Sequence, residues 1–215
     1  MYLAMYVRKE ALLSAQIEGT QCTFDDILNP ANSSLVGRDI ADVVAYVKAT
    51  DYAVERLAEL PLCMRLLCEV HGVLLEGTHG QHKYRGQIRT TQNWIGATGC
   101  SLNEASFVPP NMEDLDTTLA ELESFINNNN EIDPLIKAAL VHYQFETAHP
   151  FLDGNGRLGR LLITLSLLND KALSAAIFYP SYQFKLKRDI YYQALTDVRE
   201  QGTYAHWVKF FVTCI

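Results

Sequence analysis

The stretch His149-Pro150-Phe151-Leu152-Asp153-Gly154-Asn155-Gly156-Arg157-Leu158-Gly159-Arg160 lies between two apolar segments, and its reading decides the fold. Upstream, Asp133-Pro134 gives an N-cap followed by proline at the first helical position, a strong start signal. The segment that follows, Leu135 to Ala148, is apolar on most of its circumference, which predicts a central buried helix rather than a surface one. Downstream, Leu158, Leu161, Leu162, Leu165 and Leu168 predict a second helix that begins near Asn155 and turns its leucines to the core. Two central helices joined by a glycine-containing loop point to an all-α domain.

The rest of the chain fits that class. Leu3 to Ile17 has helical spacing and Gly19 as a stop, and Thr23 with Asp26 caps a short helix over Phe24 to Leu28. Pro30 to Gly37 reads as a loop, Asp39 to Leu60 as a long amphipathic helix closed by Pro61, and Leu62 to Leu75 as another helix. Lys83 to Gly99 differs: Ile88, Thr90, Thr91, Trp94 and Ile95 favour extended structure and glycines mark bends, which predicts a β-hairpin. A helix follows Pro109-Pro110-Asn111 and runs to Phe125 or Ile126, with Asn127 to Asn130 as a polar turn. Helices near Leu186 to Glu200 and Tyr204 to Val212, separated by Gly202, complete the chain.

The central loop also carries chemistry. It leads into a helix N-terminus, where unpaired N–H groups and the positive dipole end favour anions, and its glycines let a phosphate approach the backbone. Arg157 and Arg160, three apart, share a helix face and can converge on one polyphosphate. Asp153 is the loop's one carboxylate, the usual means of holding Mg²⁺ together with phosphate oxygens and waters. His149 is suited to act as a general base near neutrality. Taken singly, each of these residues also reads as part of an ordinary interhelical turn with solvated arginines; their concentration in twelve positions favours a site.

This stretch resembles the Fic family signature H-x-F-x-[D/E]-G-N-G-R-x-x-R and matches it at every defined position. Arg85 to Gly96 resembles the family's flap hairpin, and Phe107-Val108-Pro109-Pro110 the connection after it. The resemblance implies an all-α Fic-type domain with a β-hairpin flap and a protein adenylyltransferase activity. In it, His149 would deprotonate a Ser, Thr or Tyr hydroxyl of a target protein that then attacks the α-phosphorus of ATP. Asp153 would hold Mg²⁺, while Gly154, Asn155, Gly156 and Arg157 would bind phosphates and Arg160 would reach the γ-phosphate. Phe151 would anchor the loop. Gly156, where Doc-like relatives carry lysine, favours AMP transfer over γ-phosphate transfer, and phosphocholine transfer is known from a branch with a similar motif.

The resemblance extends to three further groups. Ser14-Ala15-Gln16-Ile17-Glu18-Gly19 resembles the inhibitory motif [S/T]-x-x-x-E-[G/N], which implies that Glu18 pairs with Arg160, Ser14 steadies the helix and Gly19 ends it. Thr91, Gln92, Asn93, Trp94 and Ile95 would dock the target's backbone as an added strand, or else form an ordinary hairpin with Trp94 in the core. Tyr191 and Tyr192 resemble an adenine-side wall, although aromatics at that spacing are more often core. The implied organisation is an inhibitory helix over residues 1–22 packed on a catalytic domain over 23–215. The alternatives are AMP removal or another nucleotide-linked transfer at the same site, and a non-catalytic interaction module of the same fold. Relatives of this type often continue into a winged-helix domain.

Composition narrows the partners. With 215 residues, 48% of them hydrophobic, the chain has ample core for one domain, and a net charge of −7 argues against direct nucleic-acid binding. Five cysteines without a C-x-x-C pair argue against a disulfide framework or structural zinc. Arg8, Lys9 and Glu10 interrupt the N-terminal apolar run, so neither a signal peptide nor a membrane span is expected, and a cytoplasmic protein is. The expected partners are ATP with Mg²⁺ and a hydroxyl-bearing target protein, with no membrane; homo-oligomerisation stays open. His79 and His82 read as loop histidines, and His71, His142 and His206 as satisfied residues on apolar helices.

Overall fold

The computed structural model describes residues 2–28, 37–97, 99–128 and 131–215. Ten α-helices lie among them: α1 Tyr2–Ile17, α2 Phe24–Leu28, α3 Gly37–Leu57, α4 Met64–Leu74, α5 Met112–Asn128, α6 Pro134–Ala148, α7 Asn155–Asn169, α8 Ser181–Leu186, α9 Arg188–Gln201 and α10 Ala205–Cys214. The start signals work as their chemistry requires: the Asp133 carboxylate accepts from the Leu135 and Ile136 amides, and Thr23 and Asp26 cap α2 reciprocally.

Helices apolar all round must be covered all round, and α6 and α7 are the centre of the molecule. On one side Val141, Phe145, Leu158, Leu162 and Leu165 share a core with Ala11 and Leu12 of α1, Val43 and Tyr46 of α3, and Leu66 and Val70 of α4. On the other, Ala139, Ile163 and Leu167 pack with Phe184, Tyr191, Trp207 and Phe211 from α8, α9 and α10. Two buried polar side chains of this core, Trp207 and His142, are fully paired. The Trp207 indole N–H donates to the Ala139 carbonyl at 2.8 Å. His142 Nδ1 lies 2.8 Å from the Gly159 carbonyl, which can only accept, so Nδ1 carries the proton and Nε2 accepts from the Tyr191 hydroxyl at 2.8 Å. Burial pushes this imidazole down to about 3.

Helix α1 is tied to the C-terminal half along its length. Glu10 accepts from the amide and hydroxyl of Ser181, Gln16 accepts from Lys185, and Arg188 Nε donates to the Ile17 carbonyl at 3.1 Å. The last contact serves a helix-end carbonyl that has no intrahelical donor.

Five expectations need correction. No strand ladder forms over Lys83 to Gly99 among the described residues; the one rung is an isolated antiparallel bridge between Ile95 and Phe107. Residues 83–87 close into turns instead, with Tyr84 at φ 50° and Gly86 at φ 75°, and the side chains of Arg89, Gln92 and Asn93 bond to neighbouring loops where a strand would pair its backbone. The third helix stops at Leu57, and residues 58–60 continue as turns before Pro61. Helix α8 is unforeseen, being six residues long and entered at Pro180. His206 is exposed and bonds Asp197 at 2.7 Å. Helix α5 runs on through Asn127 and Asn128, past the expected end at Phe125 or Ile126, so half of the turn read over Asn127 to Asn130 is helix. Its other two residues, and all of the loop read over Pro30 to Gly37 except Gly37 itself, lie outside the described residues.

Burial of Glu10 has a measurable consequence, because burial raises its carboxyl from 4.5 to about 7 against the pull of Ser181 and Arg160. The folded chain then binds more protons than the unfolded chain between those values, so this group lowers stability as pH rises through that window. Glu10→Gln should therefore gain stability relative to the parent between pH 5 and pH 8, on the order of 3 kcal/mol at about 1.4 kcal/mol per pH unit separating the two ionisations. Urea denaturation at both pH values checks this; a pH-independent difference contradicts it.

Candidate active site

Helix α6 ends at His149, which sits in the left-handed region at φ 47°, ψ 58°. A non-glycine residue there costs about 1–2 kcal/mol, so the surroundings must hold it. They do so by binding the loop's carbonyls. Arg89 Nε and Asn93 Nδ2 both donate to the His149 carbonyl at 3.1 Å, and the Arg89 amide donates to the Pro150 carbonyl at 2.8 Å. Asn93 Nδ2 and Asn155 Nδ2 donate to the Phe151 carbonyl at 3.0 and 2.7 Å, while the Phe151 amide donates to Asn155 Oδ1.

His71 from α4 takes the next carbonyl. The Gly86 amide donates to its Nδ1 at 2.8 Å, so the proton lies on Nε2, which donates to the Asp153 carbonyl at 2.9 Å. Its ring stacks on Phe151 with centroids 3.8 Å apart, and burial pushes its pKa down to about 4. With the carbonyls of His149, Pro150, Phe151 and Asp153 all engaged, Gly154 turns the chain at φ 75° into α7. Helix geometry leaves the amides of Asn155, Gly156 and Arg157 without intrahelical acceptors, the arrangement of an anion site.

A cavity of about 450 Å³ opens at this helix end, lined by His149, Asp153 to Arg157 and, from elsewhere in the chain, Glu18, Asp39, Asp42 and His79. Burial pushes the His149 imidazole down to about 4, against the backbone carbonyl of Glu146 and the charge of Glu18, so the ring is neutral near pH 7. Asp153 Oδ1 accepts from the Gly154 amide at 2.6 Å and lies 3.5 Å from Arg157, while Oδ2 accepts no hydrogen bond among the described residues. That free oxygen suits a cation. Asp39, Asp42 and His79 also bring ligand atoms within 4.8 Å of one another.

The two arginines diverge. Arg157 pairs with Asp42 Oδ1 at 3.2 Å and with Asp153. Arg160, only 1% exposed, donates from Nε to the Ser14 hydroxyl at 2.8 Å and from NH2 to the Ser14 carbonyl at 3.0 Å and Glu18 Oε1 at 2.8 Å. Burial works against both members of the Arg160–Glu18 pair; the guanidinium nonetheless holds the Glu18 carboxyl below its ordinary range, and Glu18, the foremost of several neighbours, holds the arginine ionised. Gly156 makes the approach feasible, because a Cβ there would collide with the Glu18 carboxylate and come within 3.0 Å of Arg160. Gly19 follows at φ 102° and lines the same cavity.

The remaining candidates lie apart from the cavity. Tyr191 is buried in the core beneath His142, and Tyr192 is partly exposed beneath the Arg188 guanidinium. Gln92 donates to the Pro109 carbonyl, Asn93 points inward to the catalytic loop, and Thr91 offers its carbonyl to Arg89. Trp94 and Ile95 are exposed, so Trp94 is not a core residue. Asp42 is a part of the site that the sequence pattern does not single out, and Asn93, read as a target-docking residue, holds the catalytic loop together with Arg89 instead, since these contacts reach across more than fifty residues. His71, read as a satisfied histidine, is satisfied by the active-site loop itself.

Residues 61–167 match the Fic/DOC family and residues 1–55 match the family's N-terminal region. The chain is 28% identical over 185 residues to "Protein adenylyltransferase Fic" of Drosophila grimshawi, covering 85% of this chain and 33% of that protein. It is 36% identical over 85 residues to "Protein adenylyltransferase fic-1" of Caenorhabditis elegans, covering 39% of this chain and 15% of that protein. The chain thus spans about a third or less of the curated relatives' length. Among solved structures, a Fic family protein from Desulfovibrio desulfuricans G20 superposes with a TM-score of 0.81 at 24% identity, covering 99% of this chain and 63% of that one. C. elegans Fic-1 gives 0.68 at 24%, covering 96% and 59%. No helix among the described residues is long and apolar enough to cross a membrane.

The packing of Glu18 over Gly156 predicts a coupling that needs no assay of activity. Gly156→Ala should destabilise the parent chain yet be neutral or stabilising in a Glu18→Gly background, where the collision is gone and alanine is the better helix former. A double-mutant cycle by urea denaturation should give roughly 1–3 kcal/mol of coupling, and additive effects would contradict the contact.

Proposed function

We propose, from the premise that this chain belongs to the Fic/DOC family, that it is a protein adenylyltransferase moving AMP from Mg·ATP to a Ser, Thr or Tyr hydroxyl of a target protein. The observation that carries this reading is one cavity lined by a neutral imidazole, a carboxylate with a free oxygen and the open amides of a helix N-terminus. His149 takes the proton of the target hydroxyl, whose oxygen bonds to the α-phosphorus of ATP as the bond to the pyrophosphate oxygen breaks. The amides of Asn155, Gly156 and Arg157 hold phosphate oxygens in place, so the chain's contribution is positioning and charge stabilisation. Asp153 is the residue that would hold Mg²⁺, which when bound neutralises charge on the phosphates. Trp94 and Ile95, exposed on the flap-like segment, would meet the target in this reading.

In this reading the arrangement is inhibited, because Glu18 occupies the arginine assigned to the γ-phosphate. The Glu18 side chain is 40% exposed, so the pair is worth less than a fully buried one, and a charge-assisted hydrogen bond of this kind contributes about 1.5–3 kcal/mol. A second reading has a specific basis: an ionised carboxylate lining the same cavity can orient water toward a phosphoester, which would remove AMP.

Three outcomes test the proposal. Glu18→Gly should raise AMP incorporation from labelled ATP by about ten- to a hundredfold, as loss of about 1.5–3 kcal/mol of competition implies; no rise removes the inhibitory role. His149→Ala in that background should abolish incorporation while calorimetry still detects ATP binding, and retained incorporation would remove the base assignment. Because His149 is neutral down to about 4, kcat/KM of the Glu18→Gly protein should stay level from pH 8 to pH 6. A base with the ordinary value of 6.5 would lose about three quarters of its active form by pH 6, and such a fall contradicts the burial of the ring.

A further inference from the structure

We infer that Asn93 is a positioning residue for His149, acting through the backbone of the catalytic loop rather than through the target. Its single carboxamide nitrogen donates to two carbonyls of that loop, His149 at 3.1 Å and Phe151 at 3.0 Å. These flank Pro150, whose own carbonyl accepts from the Arg89 amide, so the segment of residues 89–93 grips three consecutive carbonyls. The middle of a loop held this way cannot rotate, and the first residue gripped is the one in the left-handed region. Arg89, 2% exposed, reinforces the same grip through its Nε, and its Nη2 reaches the Pro110 carbonyl on the far side of the segment.

The residue type is specified by this geometry. Both partners are carbonyls and accept only, so the amide must present nitrogen to them, and an aspartate would face them with oxygen. The cost is visible: Asn93 Oδ1 is buried without a hydrogen-bond partner among the described residues. A buried acceptor left unpaired opposes folding, so what offsets it is the hold on the loop. Side chains on the rest of the segment point elsewhere, Gln92 to Pro109 and Trp94 to the Cys100 carbonyl. Among residues 91–95, the Asn93 side chain is the one that hydrogen-bonds the loop that bears the base.

The inference rests on the reading of His149 as the base in AMP transfer, and its test separates the two. In the Glu18→Gly protein, Asn93→Asp should lower single-turnover AMP incorporation at saturating ATP on the order of thirtyfold, the equivalent of two hydrogen bonds. ATP affinity measured by calorimetry should be unchanged, because the phosphate-facing amides lie on α7. In ¹⁵N-histidine spectra the His149 ring, held low by burial, should titrate higher than in the parent. The new carboxylate adds charge nearby and the ring loosens toward solvent, and the uncharged Asn93→Ser variant isolates the second effect. Asn93→Ser, which keeps one donor, should move both quantities in the same direction by less, and serves if the aspartate variant does not fold. An unchanged rate with an unchanged His149 titration overturns the inference, as does a rate loss matched by an equal loss of ATP affinity. If no variant transfers AMP but the His149 titration still moves, positioning stands and the transfer reading falls.

Discussion

Arg160 is the constraint on which the rest of the structure depends. A guanidinium carries five donors and does not give up its charge, and at 1% exposure in the middle of α7 water cannot serve it. Its partners have to come from another element: α1 supplies the Ser14 hydroxyl and carbonyl, and the turn just after it supplies the Glu18 carboxylate. A carboxylate just past the C-terminal end of a helix faces the unfavourable end of the dipole, so Glu18 gains nothing from its own helix and depends on Arg160. The dependence is unequal. Arg160 keeps two of its three contacts if Glu18 leaves, and α1 keeps its ties through Glu10 and Ile17. The carboxylate is thus the exchangeable partner in a contact whose remainder is structural.

Two glycines on α7 make this arrangement possible, and both admit a carboxylate. A Cβ at 156 would meet Glu18, and a Cβ at 159 would meet Glu146. Each glycine inside a helix costs about 1 kcal/mol relative to alanine, so close approach is what offsets the loss. The two acids differ in charge. Glu18 is held ionised by Arg160, whereas burial raises Glu146 to about 7, with Oε1 left without a hydrogen-bond partner among the described residues. Glu18 therefore supplies most of the countercharge to Arg160, while burial shifts Glu146 toward its neutral form.

What the sequence discloses and what it withholds divide along one physical line. Helix boundaries of α6 and α7, the capped start at Asp133 and the local order of the loop are set by neighbours a few residues apart, and they read directly from the residues. The pairing of Ser14 and Glu18 with Arg160, 146 and 142 residues away, is implied by resemblance and not by any local pattern. The segment of residues 83–99 misleads for the same reason: its β-branched and aromatic residues favour extension, but tertiary hydrogen bonds from Arg89 and Asn93 decide where the extended chain pairs. Arg157 shows the limit of helix-face arguments. Spacing puts it beside Arg160, and Asp42 on α3 draws its guanidinium the other way.

That diversion of Arg157 bears on how the cavity could accept a polyphosphate. Its lining includes the carboxylates of Glu18, Asp39, Asp42 and Asp153, while Arg157 is paired with two of them and Arg160 with a third. A bare triphosphate approaching such a surface meets repulsion before it reaches the helix amides, and at close range in a partly desolvated cleft that repulsion is not screened by salt. A triphosphate carrying a divalent cation presents the opposite charge to Asp153 Oδ2, the carboxylate oxygen left free beside the α7 N-terminus. Arg157 could then exchange the Asp153 carboxylate for phosphate without leaving Asp153 as an uncompensated charge. On the proposed reading, the acidity of the cleft, which alone argues against an anionic ligand, favours a ligand that arrives with its metal.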